Sequence, residues 1–208
     1  MIDQYTLFAI AAVLLATVRY GTYLYTIYKG QTKPHAFTWL LLGCVTLVGA
    51  YASFSTDAGP SAWAITFVGA TCLLIAGLAF FIGEKDYTTS DWAALVICFL
   101  AIPLWKVTDT PAIALVIVVI IDFLAYWPTI RKSYNKPDTE PPISAFISGV
   151  RYILILLAVP EPTWENMIYP FYLLLTDWGF AVYIVIRRWH MGYPLHEYAS
   201  DKNNPSNE

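Results

Sequence analysis

Charged side chains are scarce in this chain of 208 residues. Asp, Glu, Lys and Arg make up 13% of it, hydrophobic residues make up 58%, and the mean hydropathy is +0.55. Since soluble domains carry roughly 25% charged residues, a soluble globular domain is excluded as the fold class. The net charge of −3 also argues against nucleic-acid binding, which depends on an excess of Lys and Arg. We therefore expect the chain to lie in a lipid bilayer and to bind no nucleic acid.

Cysteine and histidine are also few, with three of each. The cysteines Cys44, Cys72 and Cys98 all fall in apolar segments and lack the spacing of metal ligands. We therefore expect no disulfide framework, no metal site and no other cofactor. The hydrolase motifs H-E-x-x-H and G-x-S-x-G do not occur in the sequence, and an enzyme is not expected.

Long apolar segments fill most of the sequence. A helix needs about 20 apolar residues, with a range of about 17–25, to cross the hydrocarbon core of a membrane. Seven segments come close to this length, at 5–27, 36–55, 61–82, 91–106, 111–131, 143–159 and 166–187. The sequence therefore predicts an all-α integral membrane protein with seven transmembrane helices. Residues 190–208 are polar and are expected to form a disordered cytoplasmic tail.

The basic residues are divided unevenly between the predicted loops. Nine Lys and Arg residues would lie on the side of the C-terminal tail, and Lys106 alone on the opposite side. Because short loops rich in Lys and Arg remain in the cytoplasm, the N-terminus is predicted to lie outside and the C-terminus inside. The expected location is the plasma membrane.

A short pattern occurs twice in the sequence, about a hundred residues apart. At an offset of 103, Tyr23 corresponds to Tyr126, and Lys33-Pro34 corresponds to Lys136-Pro137. Internal repeats are typical of transporters whose substrate site lies between the two halves. The predicted organisation is a three-helix repeat at 1–88, a linker helix at 89–108, a second three-helix repeat at 109–189 and the tail at 190–208.

Four ionisable side chains lie deep in the predicted helices, and their charges sum to zero. They are Arg19, Asp122, Arg151 and Asp177. A charge near the bilayer centre costs about 2.5–3.5 kcal/mol on insertion scales, so such residues usually face a cavity or a partner. Two interpretations stay open: static pairs that hold helices together, or a substrate site that the ligand completes. Arg19 and Asp122 are equivalent in the repeat, and we expect them to face each other.

Aromatic residues surround these charges in the sequence: Tyr20, Tyr23, Trp39, Tyr126, Trp127, Tyr152, Tyr172 and Trp178. Tyr and Trp combine a flat apolar face with a hydrogen-bonding group, which suits a sugar ring, a nucleobase or an amino acid. Their alternative role is in the aromatic belts at the membrane surface. We predict Tyr23, Tyr126, Tyr152 and Trp178 as substrate-binding residues, together with the four charges. Pro128 is predicted to end the fifth helix and to act as a hinge.

The segment Tyr126-Trp127-Pro128-Thr129-Ile130-Arg131-Lys132-Ser133 resembles the PQ-loop and SWEET superfamily. There, a Pro-Gln or Pro-Thr pair near the cytoplasmic end of a repeat's first helix precedes a basic loop. Thr176-Asp177-Trp178-Gly179 is similar to the family's substrate-binding stretch, with Asp177 at a polar position that is often Asn. The first repeat differs, because Tyr25-Thr26 stands in place of the Pro-Thr pair. The resemblance implies two three-helix repeats joined by a linker helix.

The leading hypothesis is a membrane transporter of a small polar solute such as a sugar, an amino acid or a nucleoside. The solute would bind between the two repeats and cross by alternating access. Proton coupling belongs to this hypothesis, because a buried carboxylate can bind a proton. The alternative is a non-transporting receptor or scaffold of the same superfamily, which closed Arg–Asp pairs without a cavity would favour. Both a monomer and a homo-oligomer are compatible, because one chain carries both repeats.

Reporter fusions test the predicted topology. Green fluorescent protein fused behind Glu208 is expected to fluoresce, and alkaline phosphatase fused there is expected to be inactive, because the first folds in the cytoplasm and the second outside. The same reporters fused after Asp57, in a predicted outside loop, serve as the matched control with the opposite result. Active phosphatase behind Glu208 would contradict the prediction.

Overall fold

The structure is a computed structural model that describes residues 2–29, 34, 36–83, 89, 92–93, 96, 111–135, 137 and 142–194. Within these residues six helices have defined bounds: α1 (Gln4–Tyr28), α2 (Ala36–Ser55), α3 (Pro60–Ile82), α4 (Pro111–Asn135), α5 (Pro142–Leu157) and α6 (Trp164–Met191). The described residues include no strand. Residues 89, 92, 93 and 96 are helical and fall in the predicted linker, whose bounds lie outside the described residues, as does the tail from residue 195 onward.

Four of these helices are long and apolar enough to cross a membrane. They are α1 over Gln4–Tyr25, α2, α3 and α6, while α5 is apolar but has 16 residues. The α4 helix covers the predicted segment 111–131. The prediction of an all-α membrane protein is thereby confirmed as a fold class.

Local sequence explains several of the helix ends. Asp3 caps α1 by accepting hydrogen bonds of 2.8 Å from both the backbone N–H and the hydroxyl of Thr6, as N-cap residues do. These bonds hold the pKa of Asp3 below its ordinary value, so the cap stays charged. Thr163 caps α6 in the same way through the N–H of Asn166. Gly192 ends α6 with φ of 71°, a left-handed conformation that favours glycine.

One predicted helix end is wrong. The α4 helix continues past Pro128 to Asn135, because a membrane helix tolerates a proline at the loss of a single backbone hydrogen bond. The α6 helix likewise continues past Pro170. The side chain of Pro128 lies outside the described residues, and its hinge role stays a prediction.

The helices pack as two trios, α1–α3 and α4–α6. The closest pairs are α2 with α3 and α5 with α6. The α1 helix packs on α3 and on α5 of the other trio, and α4 packs on α6 and on α2 of the other trio. Each trio is therefore joined to the other through its first helix.

Apolar packing differs between the two ends of the bundle. We call the end where α1, α3, α4 and α6 begin the N-side and the opposite end the C-side. The largest core lies mainly towards the N-side and includes residues of all six helices, such as Ala12, Ile65, Ile155 and Tyr169. Two smaller cores lie towards the C-side. One contains residues of α1, α2 and α3, and the other contains residues of α4, α5 and α6.

Substitution of Gly49 tests the N-side core. The ring of Tyr169 fills the space that a Cβ at Gly49 would need, and Tyr169 is fully buried. We expect Gly49→Ala to lower the free energy of unfolding by roughly 1–3 kcal/mol, as overpacking does. Thermal unfolding in detergent measures this.

Gly77→Ala is the matched control, because nothing lies within 4 Å of a Cβ added there. Alanine at this helical position should leave stability unchanged or raise it by up to about 1 kcal/mol. Equal melting temperatures of the two variants would contradict the close packing of α2 on α6.

Candidate functional site

The four deep charges belong to one cluster near the middle of the bundle, which we call the central polar cluster and define as Arg19, Asp122, Arg151 and Asp177. Asp177 interacts electrostatically with both arginines, and Asp122 interacts with Asp177. Among the described residues, however, no Arg–Asp pair within this cluster comes within 4.0 Å. The charges are close enough to influence each other but are not paired.

Arg151 of α5 is held by tyrosines. The side chain is 2% exposed, and one terminal nitrogen donates a 3.2 Å hydrogen bond to the Tyr20 hydroxyl of α1. Its guanidinium carbon lies 4.4 Å from the ring centroid of Tyr152 and 5.7 Å from that of Tyr20. Such cation–π contacts stabilise a desolvated cation by about 2 kcal/mol or more. Two aromatic rings thus take the place that a carboxylate could have taken.

Arg19 of α1 is partly buried and reaches the other trio. Its Nε donates a 3.3 Å hydrogen bond to the Ser144 hydroxyl at the beginning of α5. Its guanidinium carbon lies 5.0 Å from the ring centroid of Tyr20. Arg19 and Asp122 were expected to face each other, but within the described residues no hydrogen bond or ion pair joins them. The reason is the packing plan, in which α1 lies against α3 and α5 and not against α4.

Asp122 of α4 is buried, with 3% of its side chain exposed. One carboxyl oxygen, Oδ2, accepts a 3.0 Å hydrogen bond from the Tyr172 hydroxyl of α6. The other, Oδ1, is also buried but has no hydrogen-bond partner in the described part of the chain. A buried polar atom without a partner is unfavourable, so Oδ1 is a position where a proton or a ligand donor would be stabilised.

Asp177 of α6 differs from Asp122 because its side chain is partly exposed. It accepts no hydrogen bond within the described residues. The arginines on α1 and α5 lie near enough to attract it. Asp177 is therefore a partly exposed carboxyl group near two cations, which a ligand with charges of its own could contact.

Of the predicted aromatic residues, Tyr152 lies in the cluster, where its ring packs on Arg151. Trp178 instead packs α6 on α5. Its indole N–H donates a 3.2 Å hydrogen bond to the Phe146 carbonyl, its ring stacks on Phe146 at 5.8 Å, and it occupies the space beside Gly149. The adjacent side chains of Asp177 and Trp178 thus have different surroundings.

Tyr23 and Tyr126, which correspond in the repeat, also contact other aromatic rings. Tyr23 accepts a 3.2 Å hydrogen bond from the indole N–H of Trp39, and the two ring centroids lie 4.9 Å apart. Tyr126 packs edge-on against Phe180 at 5.1 Å. In both trios this tyrosine helps to form the C-side core.

The sequence did not distinguish all the residues of the site. Tyr20 and Tyr172, which hydrogen-bond to cluster members, were among the aromatics near the charges but were not chosen as binding residues. Ser144 was missed. Cys72, which the resemblance places in the third helix as part of the counterpart of Thr176-Asp177, has its sulfur 3.7 Å from the Tyr20 hydroxyl. Tyr20 follows Arg19 directly, and this adjacency was a usable signal. Ser144 had none, because nothing in the sequence separates it from other small polar residues.

Removal of the Tyr172 hydroxyl tests the environment of Asp122. In Tyr172→Phe neither carboxyl oxygen of Asp122 would retain a donor, and we expect a loss of roughly 1–3 kcal/mol in the free energy of unfolding. Tyr134→Phe is the control, because Tyr134 is 54% exposed and its hydroxyl makes no hydrogen bond within the described residues. Equal melting temperatures of the two variants would show that the bond to Asp122 contributes nothing.

Comparisons with known proteins do not name this arrangement. No family model, no curated protein and no solved structure matches the chain.

Proposed function

We propose that the protein is a transporter of a small polar solute that binds in the central polar cluster between the two trios. The observation that carries this proposal is Asp177, a partly exposed residue whose carboxyl group is attracted by Arg19 and Arg151 without pairing with either. A charge at mid-depth is unfavourable unless it is compensated. Static pairs would have closed to salt-bridge distance, whereas an open arrangement suits a site that the ligand completes. Closed Arg–Asp pairs would have favoured the receptor or scaffold alternative, and such pairs are absent from the described residues.

Transport by alternating access requires two comparable halves, and recurring contacts support a repeat of 1–88 and 109–189. Gly43 of α2 lies against Leu73 of α3, and Gly149 of α5 lies against Trp178 of α6. Trp178 stands 105 residues after Leu73, and Gly149 stands 106 after Gly43. In both trios a small residue on the second helix allows the third helix to approach closely.

The loop that follows the first helix supports the same repeat. The Pro34 carbonyl oxygen lies where a Cβ at Gly83 would be, just after α3. The Pro137 carbonyl oxygen accepts a 3.0 Å hydrogen bond from Nε of Arg188 near the end of α6. Pro137 follows Pro34 by 103 residues and Arg188 follows Gly83 by 105. The duplicated Lys-Pro motif thus has a similar contact in each trio.

The division of the cores supports alternating access. Towards the N-side a shared core joins the trios, whereas towards the C-side each trio has its own core. This is the packing expected of a transporter closed at the N-side and divided at the C-side. With the predicted topology, the C-side faces the cytoplasm. Opening of the N-side would require the Tyr20–Arg151 hydrogen bond between the trios to rearrange. The Arg19–Ser144 hydrogen bond, near the beginning of α5, joins the trios towards the C-side and would have to open for a solute to pass there.

The balance of charges favours a zwitterionic solute over a plain sugar. Two arginines and two aspartates give the cluster a formal charge of zero, and a ligand with a net charge would upset this balance in a medium of low dielectric constant. An amino-acid-like ligand could place its anionic group near Arg19 and its cationic group near Asp177. Oδ1 of Asp122, which lacks a partner, is the candidate position for a coupled proton.

A thermal-shift screen of the purified protein against amino acids, sugars and nucleosides tests the proposal. A ligand at a hundred times its Kd stabilises the folded state by about 2.7 kcal/mol. We expect an amino acid to raise the melting temperature of the wild type but not of Asp177→Asn. Glu161→Gln, which changes an exposed carboxylate outside the cluster, should retain the full shift. Ligands that act in this assay are then tested for uptake into proteoliposomes.

Two outcomes would contradict the proposal. If no ligand class shifts the wild type and Asp177→Asn is itself destabilised, the charges are structural and the receptor or scaffold alternative is favoured. If a ligand shifts the wild type and Asp177→Asn equally, its site lies elsewhere.

A further inference from the structure

A groove runs along the surface between α4 and α6, beside the central polar cluster. Its volume is about 410 Å³, and aromatic side chains from both helices form its walls, among them Phe123, Tyr126 and Phe180. Its lining on α6 extends from Tyr172 to Tyr183, which corresponds to roughly 16 Å at 1.5 Å per residue. The groove is therefore long and narrow.

The polar groups of the lining are largely occupied by bonds within the protein. The Tyr172 hydroxyl donates to Asp122 at 3.0 Å, and the Thr176 hydroxyl donates to the Tyr172 carbonyl at 2.9 Å. The Tyr183 hydroxyl donates to the Ile130 carbonyl at 3.3 Å. These three hydroxyls are already used as donors, and apart from the Tyr126 hydroxyl the remaining lining consists of ring faces and aliphatic carbon. The chemistry of the groove suits an apolar occupant.

The groove is continuous with the membrane-facing surface. Phe123 is 47% exposed and Leu175 is 56% exposed, and both line the groove. The α6 helix is one of those long and apolar enough to cross a membrane. Gly179 is exposed, and the space beside it is empty, which deepens the recess. The hydrocarbon chains of the surrounding bilayer are the apolar material in direct reach of this opening.

We infer that the groove between α4 and α6 is a binding site for one acyl chain of a membrane lipid. A chain in the groove would pack on two aromatic walls, whereas a chain on a convex helix face has a wall on one side only. The ring of Tyr172 is part of the lining, and its hydroxyl binds Asp122. The bound chain would therefore hold Tyr172 in place and connect the lipid to the central polar cluster. The inference of a lipid site does not rest on the proposed transport activity, because it depends only on the shape and the apolar lining of the groove.

The test uses the full-length protein in phosphatidylcholine vesicles doped with a phosphatidylcholine that carries a diazirine on one acyl chain. After photolysis, labelled peptides are quantified by mass spectrometry. In the wild type we expect more labelling around Phe123 and Leu175 than around Leu14 and Leu74, which are 61% and 55% exposed but lie outside the groove.

Gly179→Leu supplies the second arm, because the new side chain would fill the recess where nothing lies within 4 Å of the added Cβ. The excess labelling of α4 and α6 should be lost. Gly21→Leu is the matched control, since Gly21 is exposed on α1 and has the same open space. It should keep the excess.

The wild-type measurement alone can overturn the proposal, even if Gly179→Leu does not fold. Equal labelling of groove and non-groove positions would show that lipid is not bound there specifically. Weaker labelling around Phe123 and Leu175 than around Leu14 and Leu74 would show that a second protomer or another part of the protein, and not lipid, covers the groove. Unchanged labelling in a folded Gly179→Leu would likewise contradict it.

Discussion

The contacts that stabilise the Arg151 guanidinium determine which charges of the central polar cluster stay unpaired. This guanidinium is buried among helices, several of which are long and apolar enough to cross a membrane, and an unpaired charge there is unfavourable. The sequence supplies two aspartates that could pair with it, yet the hydrogen bond and cation–π contacts of Arg151 go to Tyr20 and Tyr152. Because Tyr20 belongs to α1 and Arg151 to α5, the same interaction joins the two trios at mid-depth.

Asp177 forms no salt bridge within the described residues because of that arrangement. Since tyrosines hold Arg151 and Ser144 holds Arg19, neither arginine approaches Asp177 to salt-bridge distance. Each arginine attracts Asp177 without contacting it, and a ligand with one positive and one negative group could contact both kinds of charge. Transporters need a site of this kind, because a closed ion pair would have to be broken for each solute molecule. In the proposed transport function, the solute would arrive from the C-side, where each trio has its own core.

The sequence predicted the all-α membrane fold and most of the helical segments. Apolar runs of sufficient length predict helices at 5–27 and 61–82, and the structure has Gln4–Tyr28 and Pro60–Ile82. The length of a run reflects the thickness of the hydrocarbon layer, so it can be recognised without knowledge of the neighbours. Position along a run likewise predicted Asp122, Arg151 and Asp177 near the middle of their helices and Arg19 somewhat below the middle of the first helix. The end of α4 was misplaced, because a proline limits only local hydrogen bonding and the helix continued beyond it.

Sequence alone therefore determined the depth of each side chain, and the tertiary structure decided which side chains meet. Contact between helices depends on the rotation of each helix about its axis and on the choice of neighbours. The packing of α1 on α5 gave Arg19 a serine partner, although the repeat had suggested Asp122. The same packing placed Tyr20 beside Arg151. On α6, Trp178 packs on Phe146, whereas the adjacent Asp177 is partly exposed. Adjacent residues on a helix point about 100° apart, which follows from 3.6 residues per turn, and so neighbours in sequence reached different environments.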